Sequence, residues 1–178
     1  MICFHDFSEN YIYRSQDEIK SQYFDPNKVC IHVTILYCHS NLQVDGKEST
    51  EDNPSILKKH LFAISDDNKQ DFHFVHHVQS LIPSYLRENQ HVTVDKIHEF
   101  TDGCPRQFKS KHTFGDLSCC LPDFVCQIDC HYLETSYAKE EQDAAGAHVK
   151  QQATLAALQR KVTIGCAEDL HDYSSESF

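Results

Sequence analysis

The order of β-type and helical segments along the chain limits its fold more than any other feature. Three β-type segments come first, at residues 1–13, 29–37 and 60–65, and the second is rich in β-branched residues. A helical pattern begins at residue 71, and strand and helix then alternate through 96–101, 107–117, 124–133 and 140–161. This order predicts an α/β domain with a mixed five-stranded sheet flanked by helices.

Length and composition predict one globular domain over residues 1–178. The sequence has no long apolar stretch and no basic and apolar leader, so we expect an intracellular protein, nuclear or cytoplasmic, without a membrane partner. The nine cysteines are odd in number, which indicates reduced thiols rather than a disulfide framework. Homo-oligomerisation stays open at this point.

The net charge of −11 argues against a dedicated nucleic-acid-binding domain, because duplex DNA repels an acidic surface. An acidic core can act on DNA when a metal ion or another domain supplies the attraction. The first residues already read as a strand, which leaves open that the chain is a fragment lacking an N-terminal DNA-binding region.

Three carboxylates stand out by their positions. We expect Asp6 at the end of the first strand, Asp102 just after the fourth strand, and Asp143 near the start of the last helix. Each alone has an ordinary reading as a turn or helix-start residue. Together they favour a site for Mg²⁺ or Mn²⁺, because carboxylates on a rigid sheet can hold the cations that phosphodiester chemistry uses.

Five blocks of the sequence, spread in order over nearly the whole chain, carry a resemblance to a known group of proteins. The blocks are DFSENY (6–11), ISDD (64–67), TDGCPRQFKS (101–110), ETSYAK (134–139) and DAAGAHVK (143–150). They resemble transposable-element-derived proteins with an RNase H-like, DDE/DDD-type transposase or integrase core. The third block is the most specific of them.

The resemblance implies an RNase H-like fold and metal-dependent DNA hydrolysis or strand transfer, with DNA as the partner. It implies Asp6, Asp102 and Asp143 as catalytic, metal-binding acids. It also implies nucleic-acid contacts for Gln107 and Lys109, and for Lys139 and Lys150 beside the third acid.

A small basic patch next to Asp102 has two readings of equal weight. Arg106, Lys109 and Lys111 surround Phe108, and such a set suits a DNA strand. The other reading is a solvated helix face.

Two alternative functions belong to different classes. Residues 136–141 depart from the Ser-His-Gly-Lys-Gly-like segment of the resembling proteins, with Tyr137 in place of histidine and Glu140 in place of the second glycine. This departure and the acidic charge favour a catalytically inactive, transposon-derived module for protein interaction. A zinc-stabilised domain is the third hypothesis. It rests on a cysteine- and histidine-rich cluster whose spacings are irregular for zinc, comprising Cys119, Cys120, Cys126, Cys130 and His131.

Overall fold

The computed structural model describes residues 1–13, 27–40, 46–124, 126–133 and 139–177, without the side chains of residues 90, 120–124, 139 and 140. Five strands and four helices lie within this part of the chain. In chain order they are β1 (Ile2–Ile12), β2 (Lys28–His39), β3 (Ile56–Ser65), α1 (Phe72–Gln90), β4 (Lys96–Thr101), α2 (Lys111–Phe124), β5 (Gln127–Tyr132), α3 (Lys139–Leu158) and α4 (Ala167–Ser177).

The strands form one mixed sheet in the order β3-β2-β1-β4-β5, which confirms the predicted α/β class. β1, β2 and β3 pair antiparallel with their chain neighbours. β1 and β4 pair in parallel, as do β4 and β5. β1 is therefore the central strand, and it connects an antiparallel half of the sheet to a parallel half.

Each face of the sheet carries its own helices. On one face, called here the α3 face, Phe4 and Val33 pack with Val149 of α3 and Leu170 of α4. On the other face, the α1 face, a second apolar cluster joins the sheet to α1 through Cys3, Leu36, Val78, Ile82 and Leu86. The alternation of side chains along each strand explains why one sheet buries two separate cores.

The first helix begins where the sequence predicts. Asp71 is the N-cap, and its carboxylate accepts hydrogen bonds from the backbone N–H groups of His73 at 3.1 Å and Phe74 at 3.2 Å. Pro83 lies inside this helix. Val75, Val78 and Ile82 are buried, as their helical spacing indicates.

Three sequence-based element predictions need correction. The first strand does not end near Asp6, because β1 continues to Ile12 past an irregularity between Ser8 and Tyr11. The second helix starts at Lys111 and not at Gln107, since the Ser110 hydroxyl accepts a hydrogen bond from Thr113 N at 3.2 Å and so caps it. The helix that carries Asp143 is not the last one, because α4 follows it.

Candidate functional site

The parallel pairing of β1 and β4 directs two of the predicted acids to one end of the sheet. In this register Phe4 is opposite Phe100, and this is the last pair of the ladder. Asp6 lies two residues further along β1, and Asp102 lies two residues further along the chain, directly after β4 ends at Thr101. Alternation along β1 places the Asp6 side chain on the α3 face with Phe4, and the register brings Asp102 to the same end of the sheet. We refer to Asp6 and Asp102 below as the acid pair.

Local backbone hydrogen bonds orient both carboxylates of the acid pair. Asp6 is buried, and its Oδ1 accepts a hydrogen bond from Phe7 N at 2.8 Å. Asp102 is half-buried, and its Oδ1 accepts one from Cys104 N at 2.9 Å. Each carboxylate is therefore held in a defined direction before any ligand arrives.

The turn after Asp102 requires glycine. Gly103 has a φ of +68°, a left-handed conformation that L side chains rarely adopt. A Cβ at this position would also lie 3.2 Å from Cδ1 of Tyr132 on β5. The Asp-Gly pair thus ends β4 and keeps the chain close to the neighbouring strand.

Asp143 is exposed on α3, one helical turn before Gly146. Gly146 packs directly on β1, because a Cβ built there would lie 2.4 Å from Ser8 Oγ. Ser8 follows Asp6 on the same face of β1. The contact between Gly146 and Ser8 therefore brings the start of α3 to the stretch of β1 that contains Asp6.

The two sides of α3 face different strands. Glu141 lies on the side of β2 and β3, where it forms an ion pair with Lys58 and accepts a hydrogen bond from Tyr37 Oη at 3.1 Å. Lys150 lies on the other side and donates from Nζ to the carbonyl oxygen of Glu9 at 3.0 Å. At 100° per residue, Asp143 is on the same side as Lys150 and about 160° from Glu141.

The residues predicted to bind nucleic acid are spread around this end of the sheet. Arg106 is exposed and Gln107 half-buried in the turn after β4, and Lys109 lies over the Tyr132 ring, with Nζ 5.1 Å from the ring centre. Lys139 is the first residue of α3, and its side chain is outside the described part. Phe108 is buried. Tyr137 also lies outside the described residues, so this substitution has no structural account.

A column of three rings crosses the α3 face next to the acid pair. Phe4 stacks on Phe100 with ring centres 4.9 Å apart and planes inclined by 20°. Phe100 stacks in turn on His131 at 4.7 Å and 17°. The column runs from the central strand to the edge strand β5, and its last member, His131, is exposed.

Polar groups border this ring column at the start of the parallel strands. His98 Nδ1 lies 3.3 Å from His131 Nε2, which is a hydrogen-bonding distance. Lys96 Nζ lies 2.6 Å from Asp129 Oδ2. The hydrogen bond from Lys96, together with the charges of Lys96, His98 and His131, holds the pKa of Asp129 below its ordinary value.

A second polar group, which the sequence analysis did not single out, is buried on the α1 face. Glu99 Oε2 accepts a hydrogen bond from Gln79 Nε2 at 2.8 Å and lies 3.5 Å from His5 Nε2. His5 Nδ1 is 3.3 Å from His32 Nε2. The glutamate of the alternating run KIHEFT is the sequence signal for this group, because it falls at a position where the alternation predicts a buried side chain. An isolated carboxylate rarely occupies such a position.

The described ranges contain no cluster of three or more side chains that could bind a metal ion together. There, no group of three or more histidine, cysteine, aspartate or glutamate side chains is arranged to hold a metal ion. The zinc hypothesis is weakened further by strand alternation. Cys130 contacts Glu99 on the α1 face, whereas His131 stacks on Phe100 on the α3 face, so the two cannot bind the same ion.

These features define a class: an α/β domain with a mixed sheet and acidic side chains at one end of its parallel strands. The chain belongs to the family described as "Domain of unknown function (DUF8701)", whose model matches residues 1–178. No curated protein and no solved structure matches it. Among the described residues, no helix is long and apolar enough to cross a membrane.

Proposed function

We propose that this domain is the catalytic core of a metal-dependent enzyme that hydrolyses or transfers phosphodiester bonds in DNA. The proposed type is an RNase H-like transposase. The parallel register of β1 and β4 is the observation that carries the proposal, because it brings Asp6 and Asp102 to the same end of the sheet. The order of strands and helices through α3 is also the one that the sequence resemblance leads us to expect.

The donor set of the acid pair fits a hard divalent cation. Mg²⁺ is commonly bound by one or two carboxylates together with substrate phosphate oxygens and water, so two carboxylates are an adequate protein contribution. Asp6 and Asp102 would hold Mg²⁺ or Mn²⁺ through their carboxylate oxygens, which the backbone hydrogen bonds orient. When bound, the cation supplies Lewis acidity at the phosphate and at the attacking oxygen.

Asp143 is the proposed third acid. Its place one turn before Gly146, on the side of α3 away from Glu141, supports this role, because Gly146 packs on Ser8 of β1 and Lys150, on the same side of the helix as Asp143, contacts Glu9 of β1. Glu141 is neutralised by Lys58 on the opposite side of the helix. The acidic residue nearest to Asp143 in the altered segment is therefore directed away from an approaching phosphate.

The test is nicking of supercoiled plasmid DNA by the full chain in Mn²⁺. We expect Asp102→Asn and Asp6→Asn to reduce nicking to background while the protein stays folded, since asparagine keeps the Oδ1 acceptor for Cys104 N or Phe7 N. Asp172→Asn, on the exposed surface of α4, is the matched control and should keep full activity. Undiminished nicking by Asp102→Asn would contradict the proposal, as would a folded wild-type chain that never nicks.

Thermal unfolding gives a second measurement that does not depend on turnover. A ligand that binds only the folded state stabilises it by about 2.7 kcal/mol at 100 times its dissociation constant. We therefore expect Mn²⁺ to raise the melting temperature of the wild type and of Asp172→Asn. The increase should be absent in Asp102→Asn, and EDTA should reverse it.

A catalytically inactive module for protein interaction is the second candidate. The net charge of −11 favours it, and so do the exposed apolar side chains of Leu81 and Tyr85 on α1, which line a cleft with the edge strand β3. A folded chain that shows neither Mn²⁺-dependent nicking nor a Mn²⁺-dependent thermal shift would favour this candidate over the enzyme.

A further inference from the structure

The uncovered part of the α3 face lies beside the acid pair and has an unusual composition. α3 packs on β1 and β2, and α4 packs on β3 and α3, so the described helices leave β4 and β5 open on this face. Phe100 is only half-buried there, and His131 is exposed. Aromatic rings exposed next to a proposed reaction site are a candidate surface for a ligand with rings of its own.

The geometry of the ring column indicates how such a ligand would bind. Phe4, Phe100 and His131 stack almost parallel at 4.9 Å and 4.7 Å, so each ring stands upright on its strand and faces the next ring across the sheet. β5 is the edge strand, and no further strand of the described sheet follows it. The outward face of the His131 ring therefore ends the column, and one more flat ring can extend it.

We propose that the outward face of the His131 ring, backed by the Phe100 ring, is a stacking platform for an unpaired nucleobase of the DNA strand whose phosphate binds at the acid pair. This inference rests on the proposed function and adds to it the binding of the flanking nucleotide. A nucleobase fits the column because any base has a flat π-face that stacks on an aromatic side chain.

The separation between the platform and the acid pair suits neighbouring groups of one strand. Phe100 precedes Asp102 by two residues, and two residues of a strand span about 6.6–6.8 Å. His131, which carries the open ring face, lies one strand further towards the edge, so it is roughly 8 Å from Asp102, which is two to three times the 3.4 Å rise per base of one DNA strand. One strand can therefore present a phosphate at the acid pair and a base at the column.

The charges around the platform are less acidic than those of the chain as a whole, which favours a phosphate-bearing ligand. The Asp129 carboxylate, which would repel a phosphate, is paired with Lys96 at 2.6 Å and lies 3.7 Å from His98 Nδ1. The imidazoles of His98 and His131 lie 3.3 Å apart between Nδ1 and Nε2, so one of them donates to the other. The local balance is thus less acidic than the net charge of −11 indicates.

The experiment compares two short single-stranded oligonucleotides that differ only in one abasic position, using fluorescence anisotropy with the full chain in Ca²⁺. We expect the wild type to bind the intact strand roughly 5- to 150-fold more tightly, the range that corresponds to stacking of one base. In His131→Ala the preference should shrink towards unity. His131→Phe should keep it, because phenylalanine keeps a stacking face and loses only the ring nitrogens.

Phe114→Ala is the matched control, since Phe114 is an exposed aromatic residue on α2, on the opposite face of the sheet. It should leave the preference for the intact strand unchanged. Equal binding of intact and abasic strands by a wild type that nicks plasmid DNA would overturn the platform and leave the proposed function standing. Absence of any DNA binding, together with absence of nicking, would overturn both.

Self-association is the competing use of the same surface. If the chain dimerises and His131→Ala abolishes dimerisation without changing the preference for the intact strand, the column contacts a second copy and the nucleobase proposal is wrong.

Discussion

Gly146 of α3 lies so close to Ser8 of β1 that a Cβ at position 146 would be 2.4 Å from Ser8 Oγ and 2.7 Å from Ser8 Cβ. Real Cβ atoms essentially never approach so closely, so any side chain here must push the helix off the sheet. α3 is also the element that carries Asp143. The glycine therefore sets the distance between the third proposed acid and the strand that carries the first.

Gly146→Ala is expected to destabilise the fold by about 1–3 kcal/mol, the usual effect of overpacking a core, as measured by urea unfolding. The matched control is Gly115→Ala in α2, where an added Cβ meets nothing within 4 Å. That variant should be more stable than the wild type by about 0.5–1 kcal/mol, because alanine favours a helix over glycine. A Gly146→Ala protein as stable as the wild type would show that α3 does not pack as closely as described.

The buried polar group on the α1 face predicts that acid destabilises the fold. Burial, together with the charge of His5, holds the pKa of His32 well below its ordinary 6.5. Burial by itself raises the pKa of the Glu99 carboxyl, but the charge of His5 and the hydrogen bonds from neighbouring side chains outweigh it, and the pKa falls below 4.5. In both cases the unfolded chain takes up a proton at a higher pH than the folded chain.

Stability should therefore be constant between about pH 7 and 8 and fall as the pH drops below 6.5, by up to about 1.4 kcal/mol per pH unit for the His32 proton alone. Glu99 adds to the loss only below pH 4.5. Chemical denaturation between pH 7.5 and 5 separates the histidine contribution from that of Glu99, and His60, whose pKa burial and the charge of Lys58 lower, contributes in the same window. His32→Gln should flatten the slope in this window whatever its effect on stability at pH 7.5, whereas His171→Gln on the exposed surface of α4 should not. An unchanged slope in His32→Gln would argue against a neutral buried imidazole.

The start of α4 depends on a carboxylate from a distant turn. Asp66 Oδ1 accepts a hydrogen bond from Ala167 N at 2.9 Å, so a residue just after β3 caps the last helix. Asp66→Ala should cost about 0.5–2 kcal/mol, the range for loss of a cap, and should accelerate hydrogen exchange in α4. Asp66→Asn keeps the oxygen acceptor and should retain most of the protection. Equal exchange in the alanine and asparagine variants would mean that the bond does not hold the helix.

Local patterns in the sequence predict much of this fold. β4 has the predicted bounds, Lys96–Thr101, because its alternation is regular and an Asp-Gly turn follows it. The start of α1 next to residue 71 also agrees with the prediction, because the apolar residues that follow recur at helical spacing. α4 was missed because only Ala167 and Leu170 among its residues are buried, so the helix has almost no apolar stripe and depends on docking against β3 and α3.

The parts of the site that escaped prediction all depend on strand register. The acids Asp6 and Asp102 were expected at strand ends, yet which strands adjoin one another is decided by packing far along the chain. The ring column needs Phe4, Phe100 and His131 at one level of three strands. The contact between Ser8 and Gly146 likewise joins elements that no local pattern connects.

The parallel ladder between β1 and β4 has a consequence for the order of events during synthesis. It closes a loop that contains β2, β3 and α1, and closing so long a loop is entropically costly until those elements have packed. While β4 is still inside the ribosome, Asp6 of a nascent chain has no Asp102 beside it. The acid pair therefore exists only in the completed sheet. A chain truncated before β4 lacks Asp102 and cannot form it.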